Sequence, residues 1–274
     1  MKAQFFITGI LLFLNSTLFS QNLTKVWSTG DGLKTPESAF FDQSTNCIYV
    51  SNIDGNPTEK DGNGFISILN ADGKMQTLKW ITGLNAPKGQ AIHKDNYYVA
   101  DIDELIVVSI KESKITQRYQ IENSKFLNDV TVAEDGTVFV SDMQDHKIYA
   151  LSEGKIELWL EDAQLANVNG LWAEKGQLFA GTGQLLQIDL KTKAIKVLNE
   201  NTGGIDGLEK MSDGNFIYSN WQGRVFITKG TESIKLLDTA GKLNTADIDW
   251  IPWQKLVLVP TFSGNSIDAY KLNQ

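Results

Sequence analysis

The chain has 274 residues, of which 42% are hydrophobic, with 23 glycines and 5 prolines. That length is enough for one large domain with a sizeable core, or for two small ones. The formal net charge of -8 argues against a nucleic-acid-binding surface and mildly favours the binding of cations. An acidic solvated surface without a specific partner explains the same charge.

The first twenty residues differ in composition from the rest. Lys2 precedes the apolar run FFITGILLFL and the small-residue segment NSTLFS, a pattern typical of a signal peptide cleaved after Ser20. We therefore expect an exported protein, periplasmic or secreted, with no membrane attachment after cleavage; an uncleaved N-terminal anchor is the alternative. Cys47 is the only cysteine, so an internal disulfide is excluded.

A hairpin-like pattern recurs six times from residue 36 onward. Each copy has a short strand, a polar turn such as Glu134-Asp135-Gly136, and a second strand that is more continuously apolar. The copies begin at Pro36, Pro87, Leu127, Val168, Ile205 and Ala246. Two further strand-like segments follow each of the middle copies, for example over 147–160, 185–198 and 224–237.

A four-stranded unit repeated about every 40 residues is typical of a propeller blade. The sequence therefore predicts an all-β fold, with residues 21–274 forming a single six-bladed β-propeller. The last copy is followed by only one strand. We expect residues 22–28 to supply the missing strand of blade six and so to close the ring without an open edge.

Polar residues recur where each blade's first strand begins, which in a propeller lies at one mouth of the central channel. They are Glu37, Lys88, Asn128, Asn169, Asp206 and Asp247. Clustered carboxylates repel one another, and a divalent cation with hard oxygen ligands removes that repulsion. The chain has only two histidines, which disfavours a histidine-rich zinc site. Asn-Gly and Asp-Gly are also common turn dipeptides, which is the alternative reading of this pattern.

With these motifs in place, the chain from about residue 21 onward resembles the regucalcin and gluconolactonase family, also called senescence marker protein-like. The resemblance implies one divalent cation near the axis, held by Glu37, Asn169 and Asp206. Ca²⁺ is the expected cation, with Zn²⁺, Mn²⁺ and Mg²⁺ as alternatives. It also implies contact between the substrate and Asn128 and Asp129.

Two departures from the family pattern concern the substrate. Phe126 stands where family members often carry an arginine, so we expect it to contact a less polar or less acidic substrate. Ser-Ala follows Glu37 where the family has Gly-Pro. Trp221, Phe262 and Tyr97 are candidates for apolar walls at the same mouth, although packing within the propeller is the alternative for each.

The resemblance implies hydrolysis of a lactone or related cyclic ester, with Asp206 also taking a proton from the attacking water. The expected partner is a small-molecule lactone or ester, and the protein is expected to be a monomer that binds no nucleic acid. A non-enzymatic binding protein with a structural Ca²⁺ on the axis is the alternative. A lyase is disfavoured, because neither His93 nor His146 stands at an axial position.

Overall fold

The computed structural model describes residues 21–273. The predicted signal peptide over residues 1–20 lies outside the described residues. Residues 21–273 form six four-stranded sheets in which every neighbouring pair of strands is antiparallel. The innermost strands contact one another in succession, and the last contacts the first. The sheets are therefore the blades of a closed ring, which confirms the predicted six-bladed β-propeller.

The strands of each blade are given in order from the innermost to the outermost. Blade 1 comprises β2 (Pro36–Asp42), β3 (Cys47–Asn52), β4 (Gly64–Asn70) and β5 (Met75–Leu84). Blade 2 comprises β6 (Pro87–His93), β7 (Asn96–Asp101), β8 (Glu104–Ser109) and β9 (Lys114–Gln120). Blade 3 comprises β10 (Leu127–Val132), β11 (Val138–Asp142), β12 (Lys147–Ser152) and β13 (Lys155–Glu161).

The other three blades follow the same plan. Blade 4 comprises β14 (Leu171–Glu174), β15 (Gln177–Gly181), β16 (Leu185–Asp189) and β17 (Ile195–Asn199). Blade 5 comprises β18 (Leu208–Lys210), β19 (Phe216–Asn220), β20 (Arg224–Lys229) and β21 (Glu232–Asp238). Blade 6 comprises β22 (Asp249–Ile251), β23 (Leu256–Pro260), β24 (Ile267–Asn273) and β1 (Asn22–Thr29). Two 3₁₀ turns lie at Ala163–Leu165 and Phe262–Gly264.

The hairpin turns are specified locally by their residues. In blade 3 the Asp135 carboxylate accepts the Thr137 N–H at 2.9 Å, and Gly136 takes a φ of +91°. In blade 5 Asp213 accepts the Asn215 N–H at 3.0 Å, again beside a glycine of positive φ. An aspartate that bonds the backbone two residues on, followed by a glycine, favours a tight turn between strands.

Burial along the strands explains their sequence patterns. Second strands such as β7, β11 and β23 are buried along nearly their whole length, because both faces of a blade pack against neighbouring blades. Outermost strands such as β9 and β13 are mostly exposed, and their remaining residues are only half-buried. Six hydrophobic clusters fill the six contacts between adjacent blades. The core is therefore divided among the contacts between blades.

The N-terminal strand closes the ring as the sequence predicted. β1 pairs with β24 from Asn22 opposite Asn273 to Thr29 opposite Ile267. Its Lys25 ammonium forms an ion pair with Asp268. On the inner side of the same closure, the Ser38 hydroxyl donates to the Asp247 carboxylate at 2.6 Å and so joins blade 1 to blade 6. None of the helical turns within residues 21–273 has the length and apolar character that a membrane span requires.

Candidate metal centre and substrate cavity

Five of the predicted axial side chains occupy the same backbone position in their blades. Glu37, Lys88 and Asn128 are the second residues of β2, β6 and β10. Asn169 and Asp206 hold the equivalent position in blades 4 and 5. They lie two residues before β14 and β18 because these two strands begin further along their repeats. All five side chains line one cavity at the mouth of the channel. The repeat register therefore identifies which residues of blades 1 to 5 converge.

In blade 6 the predicted position is wrong by one residue. The Asp206 N–H donates to the Ser219 carbonyl at 2.9 Å in blade 5, and the corresponding bond in blade 6 joins the Ala246 N–H to the Pro260 carbonyl at 3.0 Å. Ala246, and not Asp247, therefore stands at the position of Asp206. Asp247 belongs to the next layer of the channel, so blade 6 presents no oxygen ligand from this position.

Gly170 and Gly207, which follow Asn169 and Asp206, lie where the backbones of neighbouring innermost strands are too close for a Cβ atom. Neither Gly170 nor Gly207 has a positive φ, so neither is in the conformation that a glycine-requiring turn needs. A Cβ on Gly170 would lie 2.4 Å from the Asp206 carbonyl oxygen, and one on Gly207 would lie 2.2 Å from the Ile248 nitrogen. The turn interpretation of these dipeptides is therefore wrong, since glycine lets adjacent innermost strands approach closely.

The cavity encloses about 420 Å³ and is lined by both polar and apolar side chains. Its lining consists of Glu37, Ile53, Pro57, Lys88, Phe126, Asn128, Met143, Asn169, Asp206, Trp221 and Phe262. The predicted metal ligands and Asn128 and Phe126 are in this set, whereas Asp129, Asp247 and Tyr97 are not. A volume of this size suits a small molecule.

Aromatic rings form part of the wall. Trp221 and Phe262 meet edge to face, with ring centroids 4.6 Å apart, and both line the cavity. Tyr97 does not: it is fully buried between blades 1 and 2, and its hydroxyl donates to the Gln90 side-chain oxygen at 2.6 Å. Of the two interpretations that the sequence left open for Tyr97, the structure therefore supports packing, because its side chain points into the core between two blades.

Three oxygen atoms in the cavity are buried without a hydrogen-bond partner. Six buried side-chain polar atoms within residues 21–273 lack a partner, and half of them are here: Glu37 Oε2, Asn128 Oδ1 and Asn169 Oδ1. Leaving a buried acceptor unpaired costs about 1–3 kcal/mol. Three such acceptors in one cavity indicate that a ligand completes their bonding.

The amide groups of the two asparagines are oriented by their nitrogens. Asn169 Nδ2 donates to Asp206 Oδ1 at 3.0 Å. Asn128 Nδ2 is 3.7 Å from the sulfur of Met143, a weak acceptor. Each amide therefore turns its carbonyl oxygen away from its protein partner, which leaves two neutral oxygen donors beside the carboxylates.

Burial makes the two carboxylates of the cavity costly when charged. It raises the pKa of Asp206 to about 7, against a smaller lowering by the Asn169 hydrogen bond. Burial, followed by the negative charge of Asp206, raises the pKa of Glu37 well above its ordinary value, and Lys88 opposes this. A cation between them would remove both the burial penalty and the mutual repulsion.

These donors fit a hard divalent cation. No group of three or more His, Cys, Asp or Glu side chains within residues 21–273 is arranged to hold a metal, so a cation here would need the amide oxygens as well. Two carboxylates and two amide carbonyls are ligands that Ca²⁺ and Mg²⁺ accept readily. The residues that would hold it are Glu37, Asn128, Asn169 and Asp206.

Lys88 is buried in the wall of the cavity. Its side chain is 1% exposed, and its ammonium donates to the carbonyls of Ala86, at 2.8 Å, and Pro57, at 3.2 Å. Burial lowers its pKa to about 8, and the charges of Glu37 and Asp101 oppose the change. Lys88 is therefore part of the buried lining of the cavity and is not a solvated surface charge.

Asp129 lies outside the cavity, although Asn128 beside it lies within. Its two oxygens accept the N–H groups of Val130, at 2.7 Å, and Leu171, at 2.5 Å. It lines a separate space of about 180 Å³ deeper in the channel, together with Glu209 and Asp247. The predicted contact between Asp129 and substrate is therefore not supported, since one oxygen accepts the N–H of the next residue in its own strand and the other joins blade 3 to blade 4.

Sequence reasoning missed the loop residues Ile53, Pro57 and Met143, which complete the lining. They lie outside the first strand of any blade, so the repeat gives no signal for them. Neither His93 nor His146 lines the cavity, which agrees with the expectation that histidine is not part of this site.

Comparisons with known proteins identify the fold. No protein-family model and no curated protein sequence matches the chain. Among solved structures, a protein described as a gluconolactonase is 14% identical with a TM-score of 0.67, covering 92% of each chain. A gluconolactonase from Xanthomonas campestris is 12% identical with a TM-score of 0.65, covering 89% of this chain and 88% of the other.

A second group of similar structures has a different activity. A catalytically inactive variant of virginiamycin B lyase from Staphylococcus aureus, solved with quinupristin, is 11% identical. Its TM-score is 0.64, and the match covers 93% of this chain and all of the other. At such identities the likeness establishes the fold alone. The chain is a six-bladed β-propeller whose fold is shared with gluconolactonases, as its sequence led us to expect, and with virginiamycin B lyase.

Proposed function

We propose that this protein is a metal-dependent hydrolase that opens a lactone or a related cyclic ester. The observation that carries the proposal is the cluster of buried, unpaired oxygens from Glu37, Asn128 and Asn169 beside the carboxylate of Asp206. Ca²⁺ is the expected cation because all four donors are hard oxygens. The shared fold with gluconolactonases supports the proposal without deciding it.

The proposed reaction requires the chain itself to transfer one proton. A bound divalent cation supplies Lewis acidity at an ester carbonyl. Asp206 takes a proton from the attacking water while the oxygen of that water bonds to the carbonyl carbon. The ring C–O bond then breaks, and the same proton passes to the departing alkoxide, which gives a hydroxy acid. Burial and the Asn169 hydrogen bond hold the Asp206 carboxyl in one orientation for this transfer.

The walls restrict the substrate to one with an apolar body. Phe126, Trp221 and Phe262 present aromatic surface to the cavity, and Ile53 and Met143 add aliphatic and thioether surface. Burying apolar substrate area against them stabilises the complex by about 25 cal/mol per Å². Aromatic or long-chain lactones should therefore be better substrates than sugar lactones.

One observation favours a binding protein without turnover. Asp206 Oδ1 already accepts the Asn169 amide, so a cation held by the other oxygen would leave this carboxylate only its remaining lone pairs for a proton and would make it a weaker base. A propeller with a structural Ca²⁺ on its axis would have the same four donors. Turnover itself is what separates the two functions.

Hydrolysis of a panel of lactones and aryl esters, followed by proton release, tests the proposal. We expect turnover that a chelator abolishes and Ca²⁺ restores, and a loss of at least about 100-fold in Asp206→Asn. Asp249→Asn is the matched control, since Asp249 is another buried carboxyl whose pKa burial raises to about 7, and it lies outside the cavity. Ca²⁺ binding without turnover on any ester would favour the binding protein.

We further propose that residues 1–20 direct export and are then removed. N-terminal sequencing of protein recovered from the producing cells should give Gln21 as the first residue. Recovery of intact protein beginning at Met1 in the membrane fraction would instead support an anchor.

A further inference from the structure

The cavity contains a buried cation that no carboxylate contacts. Lys88 Nζ is bonded to two backbone carbonyls and lies 4.5 Å from the centre of the Phe126 ring. None of the ion pairs formed within residues 21–273 includes Lys88. A buried charge that lacks an opposite charge in contact is costly to the fold.

The carboxylates nearby are committed elsewhere. Asp101 accepts the backbone N–H groups of Asn85 and Ala86 and does not line the cavity. Glu37 lines the cavity, but its charge and that of Asp206 are together matched by the divalent cation of the proposed centre. With that centre filled, Lys88 leaves the cavity with one unmatched positive charge.

Lys88 also has bonding capacity to spare. An ammonium group has three N–H donors, and two of them are used by the carbonyls of Ala86 and Pro57. The remaining donor belongs to a side chain that lines a space walled by Phe126, Pro57 and Ile53. A charged acceptor placed in such an apolar environment forms a stronger bond than it would in water.

We propose that Lys88 binds a carboxylate group of an otherwise apolar ligand. The inference rests on the proposed function in that it names the class of molecule that the same cavity accepts. The carboxylate could belong to the substrate before reaction, or it could be the one that ring opening creates. In either case, the ligand's apolar part would lie against Phe126 and its neighbours.

Binding of a matched pair of probes tests this directly. Isothermal titration would compare 3-phenylpropionate with 3-phenylpropionamide, which has nearly the same shape without the charge. We expect the wild-type protein to bind the carboxylate at least about tenfold more tightly. Lys88→Met should lose this preference, and Lys88→Arg should keep a substantial part of it.

A second lysine over a phenyl ring provides the control. Lys79 lies 4.6 Å from the centre of the Phe65 ring, is half exposed and does not line the cavity. Lys79→Met should behave like the wild-type protein. If Lys88→Met does not fold, Lys88→Gln, which keeps a donor without the charge, takes its place in the comparison.

Two results would overturn the proposal: no carboxylate preference in the wild-type protein, or the same preference in Lys88→Met. The second would mean that the carboxylate binds the cation. The titrations are made with Ca²⁺ present, and the two proposals remain distinguishable because the preference does not depend on turnover. A carboxylate preference that requires Lys88, without hydrolysis of any ester, would contradict the hydrolase proposal alone.

A kinetic comparison separates the two sources of the carboxylate. Monophenyl glutarate carries a carboxylate beside its ester, and phenyl pentanoate does not. If the substrate supplies the group, kcat/KM should favour the first ester in the wild-type protein but not in Lys88→Met. If only the product supplies it, Lys88→Met should relieve inhibition by the product and leave the ratio of kcat/KM values unchanged.

Discussion

Replacing Asp249 by asparagine should change how the stability of the protein depends on pH. Asp249 is buried where blade 6 meets blade 1, and its carboxylate accepts the backbone N–H groups of Phe41 and Trp250. Burial raises its pKa from the ordinary 3.8 to about 7, although these hydrogen bonds oppose the change. The folded protein therefore holds a proton here that the unfolded chain releases at a lower pH.

The sign and size of the effect follow from this difference. Because the pKa is higher in the folded state, the contribution to stability is complete below pH 3.8 and is lost as the pH rises to about 7. Each pKa unit is worth about 1.4 kcal/mol. Between pH 5 and pH 8 the wild-type protein should therefore lose about 3 kcal/mol through this group, a loss that Asp249→Asn cannot show.

Denaturant unfolding at a series of pH values in the presence of a chelator measures this. The free energy of unfolding of Asp249→Asn, relative to wild type, should rise by about 3 kcal/mol between pH 5 and pH 8. Asp72→Asn is the control, since Asp72 is exposed and its hydrogen bond with Lys74 lowers its pKa, which keeps it ionised across this range. Parallel pH curves for Asp249→Asn and wild type would refute the reasoning.

Two further predictions concern the ring itself. Deleting residues 22–29 leaves β24 with an unpaired edge, so we expect the Tm to fall by more than about 10 °C. Adding a peptide of the deleted sequence should restore the Tm. An unchanged Tm after the deletion would contradict the role of this strand in closing the ring. Gly170→Ala places a Cβ 2.4 Å from the Asp206 carbonyl and should cost about 1–3 kcal/mol in denaturant unfolding. Gly183→Ala, where nothing lies within 4 Å, should change stability by less than about 0.5 kcal/mol, and equal effects at the two sites would contradict the close-approach explanation.

The blades were predictable because their signals are local. A turn such as Glu134-Asp135-Gly136 specifies its own backbone conformation, so six similar hairpins could be counted from the sequence alone. Ring closure followed from a count as well, since the last copy lacked a strand and residues 22–28 resembled one. Aligning the copies then gave the correct cavity position in blades 1 to 5.

Asp247 and Asp129 are chemically suitable for the site but do not stand at the cavity position of their blades. Asp247 matches Asp206 chemically, but the backbone hydrogen bonds assign that position to Ala246. Asp129 is adjacent to Asn128, but the pairing of β10 with β11 shifts register between Leu127 and Val130, and the Asp129 side chain lines the deeper space of the channel. Simple alternation of side chains along a strand does not apply across such a shift.

The surroundings of Lys88 could not be predicted from the repeat. Its ammonium is held by Pro57, in a loop of blade 1, and lies over Phe126, at the entry to blade 3. Such contacts join segments far apart in sequence and depend on how three blades are placed around the axis. The same holds for Met143, whose sulfur lies beside the Asn128 amide.

Direct titration of the chelator-treated protein with Ca²⁺ tests the proposed centre most directly. Asn169→Ala removes an unpaired buried oxygen from the cavity, and Asn220→Ala removes one of similar burial outside it. We expect calorimetry to show one Ca²⁺ per chain in the wild-type protein and in Asn220→Ala, with affinity reduced at least about tenfold in Asn169→Ala. Absence of binding in the wild-type protein, for Ca²⁺ and equally for Zn²⁺, Mn²⁺ and Mg²⁺, would contradict a metal centre at these residues.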